Sequence, residues 1–151
     1  MLFPSVINPT NGKTITKISE GTPKDVDAAV AAAHKAFDTT WGLHATGVER
    51  SRLMGKLADL MEANQDKLAA LEALDNGKTF NWAKTADVAH SIQCIRYYAG
   101  WADKILGQTI ETSEAKLTYT RHEPLGVVGQ VIPWNFPRES RTWAVNRATP
   151  R

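Results

Sequence analysis

EPLGVVGQVIPWNFP, from Glu123 to Pro137, is the stretch that decides the fold. Val127, Val128, Val131 and Ile132 form a nearly continuous apolar run, which Pro133 ends. Such a run predicts a strand covered on both faces, as in the parallel sheet of an α/β fold. A tight turn follows at once and carries a single amide side chain, Asn135, beside Trp134. Just upstream, Leu117 to His122 alternates as a half-exposed strand would.

Further back the chain reads as helical. Thr22-Pro23 marks a helix start, because the threonine hydroxyl can cap orphan N–H groups and proline suits the first helical position. Val26, Ala29, Val30, Ala33 and Phe37 follow at helical spacing and predict one buried stripe, with a break around Thr39 to His44. Thr46 and Glu49 form a capping box, opening a helix whose predicted apolar face is Leu53, Leu57, Leu60 and Met61. A second amphipathic segment starts near Gln65 and is expected to stop at Asn76-Gly77, where glycine can take the left-handed conformation. From about Asn81 a long helix places Val88, Ile92, Ile95, Ala99 and Ala102 on one face and is expected to end near Gly107. At the start, residues 1 to 20 carry the turn signals Asn8-Pro9 and Asn11-Gly12, and Thr14 to Ile18 alternates, which predicts a short strand pair. At the other end, Arg138, Arg141, Arg147 and Arg151 occur without apolar periodicity, so 138–151 is expected to be a disordered tail.

Bulk properties exclude several classes. With 151 residues, 42% hydrophobic content and a net charge of +2, the composition is that of an ordinary globular domain. No run of like charge argues for nucleic acid as the main partner, and no apolar stretch is long enough to cross a membrane. The residues after Met1 lack a basic segment followed by an apolar one, so a cytoplasmic location is expected. One cysteine, Cys94, excludes an intrachain disulfide and fits a reducing compartment. His90 and Cys94 share the four-residue spacing at which metal ligands converge on a helix, but two ligands make no site, and no metal is expected.

Several blocks, in matching order and spacing, resemble the aldehyde dehydrogenase family, in particular its fungal-type members. They are VINPTNGKTIT at 6–16, DVDAAVAAAHKAF at 25–37, ERSRLMGKLADLME at 49–62, LDNGK at 74–78 and TYTRHEPLGVVGQVIPWNFP at 118–137. The resemblance runs from about residue 3 to Pro137 and covers roughly a third of a full-length member; beyond Pro137 the text diverges. It implies residues 1–137 as the amino-terminal part of an NAD(P)-dependent enzyme that oxidises aldehydes to carboxylic acids, including the helical part and first core strand of a Rossmann-like cofactor domain. Asn135 falls at the family's oxyanion donor. An asparagine NH2 suits that task because it donates without a charge that would disturb a neighbouring thiolate. Val131, Ile132, Pro133 and Trp134 fall where the family lines the nicotinamide-ribose side of NAD or NADP, and 116–122 resembles the arm through which members oligomerise.

The resemblance also implies that the nucleophilic cysteine, the general-base glutamate and the dinucleotide loop belong to sequence outside this chain. Cys94, in the mid-helix context Gln93-Cys94-Ile95, matches no catalytic block and reads as a packed thiol. The chain alone is therefore expected to be inactive. Two other readings stay open: a non-catalytic module pairing through 116–122 with a full-length aldehyde dehydrogenase, and a gene-model artefact without a role. Energetics bears on this. Burying four Val and Ile side chains in the final strand is worth roughly 6–12 kcal/mol, comparable to a domain's whole net stability of about 5–15 kcal/mol. Without neighbouring strands that run is an apolar edge, and the isolated chain is expected to be helical, partly molten or aggregating.

Overall fold

A computed structural model describes residues 3–136. The chain begins with an antiparallel pair, β1 (Ser5–Ile7) and β2 (Thr14–Lys17), with Val6 opposite Thr16. Their connection is set by local chemistry: the Asn8 Oδ1 accepts from the Thr10 N–H at 2.9 Å, and Gly12 takes φ 70°. Then come α1 (Pro23–Thr39), α2 (Gly47–Ala63) and α3 (Gln65–Asn76). A continuous helical run follows, made of α4 (Phe80–Trp82), a π-helical segment (Ala83–Val88) and α5 (Ala89–Trp101). A second antiparallel pair, β3 (Thr109–Ser113) with β4 (Lys116–Tyr119), closes the regular structure.

The helix starts form where the sequence predicts, with changes of detail: of the capping box expected at Thr46 and Glu49 only the hydroxyl half is made among the described residues, and at Thr22 the hydroxyl turns to Asp25. At α2 the Thr46 hydroxyl accepts from the Glu49 N–H at 3.1 Å. At α1 the Thr22 hydroxyl donates to the Asp25 carboxylate at 2.7 Å, which also accepts from the Thr22 N–H at 2.8 Å. Those two bonds hold the Asp25 carboxyl below its ordinary value. Gly77 ends α3 in the left-handed conformation, φ 84°.

The core lies where α2 crosses α5, with α3 and the π segment against them: Met54, Ala58, Ala69, Ala83, Val88, Ile92, Ile95 and Ala99. The face predicted for this helical run is buried throughout: Val88 at the end of the π segment, Ile92, Ile95 and Ala99 on α5, and Ala102 just after it. Arg96 ties the outer edge, reaching Asp59 at 2.8 Å and Glu62 at 2.5 Å. Arg50 ties the inner edge, donating to the Ala45 carbonyl at 2.6 Å and to the Ala102 carbonyl at 3.2 Å.

Four expectations are corrected. The face of α2 is one residue out: Met54 and Ala58 are buried and Met61 half-buried, whereas Leu53, Leu57 and Leu60 are exposed. Small Ala58 lets α5 approach, and the leucines fall on the next stripe. On α1 no residue is buried; Val26, Ala29 and Val30 face outward and only Ala33 and Phe37 are half-covered, because among the described residues no element packs along that stripe. The helix expected to reach Gly107 stops at Trp101. Gly107 instead sits at the base of the β3–β4 ribbon, where a Cβ would lie 1.8 Å from the Thr120 carbonyl oxygen. Finally, the apolar run 127–132 forms no strand: Val128 is 52% and Val131 102% exposed. A strand buried on both faces needs flanking strands for its ladder and its cover, and among the described residues none lies beside it. What the described residues show is mixed helix and strand, with both ladders antiparallel and no parallel sheet among them. The tail expectation for 138–151 lies outside the described residues. Among those described, no helix is long and apolar enough to cross a membrane.

Candidate functional site

Asn135 sits in a bend after Pro133, with its side chain exposed. Its side-chain amide engages no hydrogen bond among the described residues. Its backbone is held from a distance. Asn76, the last residue of α3, donates its side-chain Nδ2 to the Trp134 carbonyl at 3.1 Å and to the Asn135 carbonyl at 3.4 Å. Two residues on, the Lys78 ammonium lies 3.9 Å from the centre of the Phe136 ring. One short segment, Asn76-Gly77-Lys78, thus grips all three residues of the bend. Gly77 makes that grip possible: its left-handed backbone reverses the chain after α3, and a Cβ there would meet the Pro9 ring at 2.9 Å.

Lys78 is itself fixed from below. Its ammonium pairs with the Asp87 carboxylate and stands 3.6 Å from Glu72 Oε1, and both acidic side chains are 1% exposed. Glu72 comes from α3 and Asp87 from the π segment. A single π turn inserts one residue into a helix and re-aims the side chains beside it. Here Ala83, Asp87 and Val88 are all turned inward, and the Ser91 hydroxyl donates to the Asp87 carbonyl at 2.8 Å. Both carboxylates of the cluster are buried, the setting in which an ion pair fixes a geometry more than it adds stability.

Of the residues singled out from the sequence, Trp134 (86% exposed), Asn135 and Pro133 are exposed with Val131, while Ile132 is half-buried. Among the described residues clefts lie elsewhere: one of about 290 Å³ is lined by Phe37, Trp41, Arg50 and Gly126 to Val128, one of about 350 Å³ by Arg50, Tyr119, Arg121 and His122, and one of about 340 Å³ by Glu62 to Lys67 with Lys84. None of these touches Val131 to Asn135. The segment 116–122 contributes β4, whose Leu117 (80%) and Tyr119 (66%) are exposed. Cys94 is half-buried on α5, and His90 is exposed. Among the described residues no group of three or more possible ligands could hold a metal.

Sequence reasoning did not find Asn76, Lys78, Glu72 or Asp87 as parts of this site. The one available signal was the LDNGK block, whose asparagine and lysine flank a helix-closing glycine.

Comparison with known proteins gives this geometry its context. The profile of the aldehyde dehydrogenase family matches residues 4–149, so it extends past Pro137. An aldehyde dehydrogenase of Agaricus bisporus is 63% identical over 143 residues, 95% of this chain and 29% of that protein. One of Emericella nidulans is 60% identical over 143 residues, 95% of this chain and 28% of its own length. Among solved structures, the NAD+ complex of aldehyde dehydrogenase from Bacillus cereus superposes with a TM-score of 0.94 at 45% identity, covering 98% of this chain and 30% of that one. The chain therefore spans less than a third of the length of the relatives it matches.

Proposed function

This chain belongs to the aldehyde dehydrogenase family, and from that premise we propose that it supplies the oxyanion-binding turn of an enzyme oxidising aldehydes to carboxylic acids with NAD or NADP. The observation carrying this is Asn135: an exposed amide, uncommitted among the described residues, on a bend whose backbone carbonyls are clamped by Asn76. Attack on an aldehyde leaves negative charge on the former carbonyl oxygen. A fixed neutral donor stabilises that charge as it grows and contributes about 10²–10³ in rate.

The exposed apolar side chains of Val131 and Trp134 fit one wall of a nicotinamide-ribose pocket, in keeping with the NAD+ complex of the Bacillus cereus relative. When bound, the cofactor supplies the hydride acceptor. The described residues hold the wall alone, with no phosphate-binding turn among them, so cofactor binding by this chain by itself is not expected. The run 127–132 takes its place in a Rossmann-like parallel sheet only when neighbouring strands pair with it. On this reading the nucleophilic cysteine and general-base glutamate come from the rest of a full-length enzyme, and the chain alone turns over no aldehyde.

The test is a chimera in which residues 4–149 replace the matching segment of the Agaricus bisporus enzyme. Asn135→Ala should lower kcat for acetaldehyde by about 10²–10³ with little change in KM. An unchanged kcat would remove Asn135 from the reaction. Reduction of NAD by the purified chain alone with acetaldehyde would overturn the division of labour.

A second reading is favoured by one observation, the exposed β4 edge with Leu117 and Tyr119. Such an edge can pair with another strand, so the segment 116–122 would join this chain to a like subunit or to a full-length aldehyde dehydrogenase. Co-purification lost on Leu117→Lys supports that; a monomer indifferent to such a partner refutes it.

A further inference from the structure

We infer that Asn76 is a positioning residue for Asn135, with Lys78 as its support, so that donor geometry in the oxyanion turn is set by the end of α3. The inference deepens the proposed role of Asn135 and rests on it. A donor aimed at a transition-state oxygen must be held within about 0.5 Å of its productive place. Among the described residues nothing holds the Asn135 side chain directly, so its aim depends on its backbone. That backbone is fixed at two consecutive carbonyls by the one Nδ2 of Asn76, at 3.1 and 3.4 Å. The next residue is fixed by the Lys78 ammonium under the Phe136 ring, 3.9 Å away.

The two grips come from opposite sides of Gly77, whose φ of 84° sets their relative direction. Lys78 cannot drift, because the carboxylates of Asp87 and Glu72, each 1% exposed, bracket its ammonium. Asn76 thus acts on the backbone of the donor and Lys78 on the ring beside it. Neither touches the reacting atoms, and their effect reaches catalysis only through Asn135.

The chimera described above tests this by a double-mutant cycle. Asn76→Ala should lower kcat about tenfold with KM nearly unchanged, less than the loss from Asn135→Ala. In the Asn135→Ala background the same substitution should cost less than twofold, because its route to the reaction is already cut. A merely structural role would lower both backgrounds equally. Asn76→Ser, which keeps a shorter donor, should recover part of the loss. Full tenfold additivity, or Asn76→Ala without effect while Asn135→Ala is slow, overturns the inference and leaves the proposed function standing. If Asn135→Ala itself has no effect, the proposed function falls and takes the inference with it.

A measurement independent of turnover uses the chimera with selective 13C′ labels: the carbonyl resonances of Trp134 and Asn135 should both shift on Asn76→Ala and those of Leu125 should not. Where Asn76→Ala fails to fold, Asn76→Ser is measured in its place, and unmoved carbonyl resonances refute the clamp.

Discussion

Replacing Lys78 by Met keeps the length of the side chain and removes its charge, and the structure fixes what that should cost. The ammonium is bracketed by Asp87 and Glu72, whose side chains are 1% exposed, while Lys78 itself is 16% exposed. Removing one partner of a buried ion pair strands the other and costs about 3–5 kcal/mol. Net stabilities lie at about 5–15 kcal/mol, and a core built of four alanines with Met54, Val88, Ile92 and Ile95 belongs at the lower end. The single substitution should therefore take most of the stability of the isolated chain. With a urea dependence of about 2 kcal/mol per molar, the midpoint read from helical circular dichroism falls by about 1.5–2.5 M, or the signal is lost without denaturant. The control removes the stranded charges as well. Lys78→Met with Asp87→Leu and Glu72→Met exchanges the whole cluster for apolar volume and should regain most of the loss, since such replacements are neutral or stabilising. A single variant within about 1 kcal/mol of the parent, or a triple variant as weak as the single, refutes the claim that these charges act as one unit.

Other consequences follow from burial and geometry. Val131→Asp should change the stability of the chain by less than about 0.5 kcal/mol, whereas Ile95→Ala, in the α2–α5 core at 3% exposure, should cost about 2–5 kcal/mol; equal losses in urea titrations would mean that the run 127–132 is buried after all. Gly107→Ala places a methyl 1.8 Å from the Thr120 carbonyl oxygen and must open the ribbon base, so the Gln108 and Thr120 amides, which bond across it at 2.8 Å, should lose hydrogen-exchange protection. The Asp25 carboxyl is depressed by its bonds to the Thr22 hydroxyl and N–H, so its contribution is fully present above the unfolded carboxylate pKa and is lost as pH falls through the lower folded value. An NMR titration should show the Thr22 amide moving together with the Asp25 carboxyl in acid, and a Thr22 amide that does not move rules out the cap.

The helices were legible because their signals are local. A cap residue, a proline at the first position and a glycine after the last turn act within a few residues, and the structure returns them at Thr22, Pro23, Thr46 and Gly77. The face of α5 was legible for the same reason. The faces of α1 and α2 were not, because periodicity states which side is apolar and not whether anything covers it. On α2 the stripe with the larger side chains stays exposed, and the stripe containing Ala58 wins contact because it lets another helix come close. The apolar run 127–132 fails more plainly: a strand is defined by its neighbours, and side-chain pattern cannot supply them.

The candidate site divides along the same line. Asn135 was legible from its motif, since the turn and its residue types are contiguous in the chain. What holds the turn was hidden, because Asn76 bonds a carbonyl 59 positions away and Asp87 and Glu72 occupy core positions where an apolar pattern treats a carboxylate as noise. The π turn deepens the concealment, because Asp87 and Val88, adjacent in the chain and about 100° apart in a regular helix, are both turned inward together with Ala83. Buried charge therefore carries information that hydrophobic patterning discards. A carboxylate in a core persists only with a partner, and here that partner is a lysine whose other contact is the ring of Phe136, next to the proposed oxyanion donor. Following the charges inward from the LDNGK block leads to the same bend that the apolar run reaches from the other side.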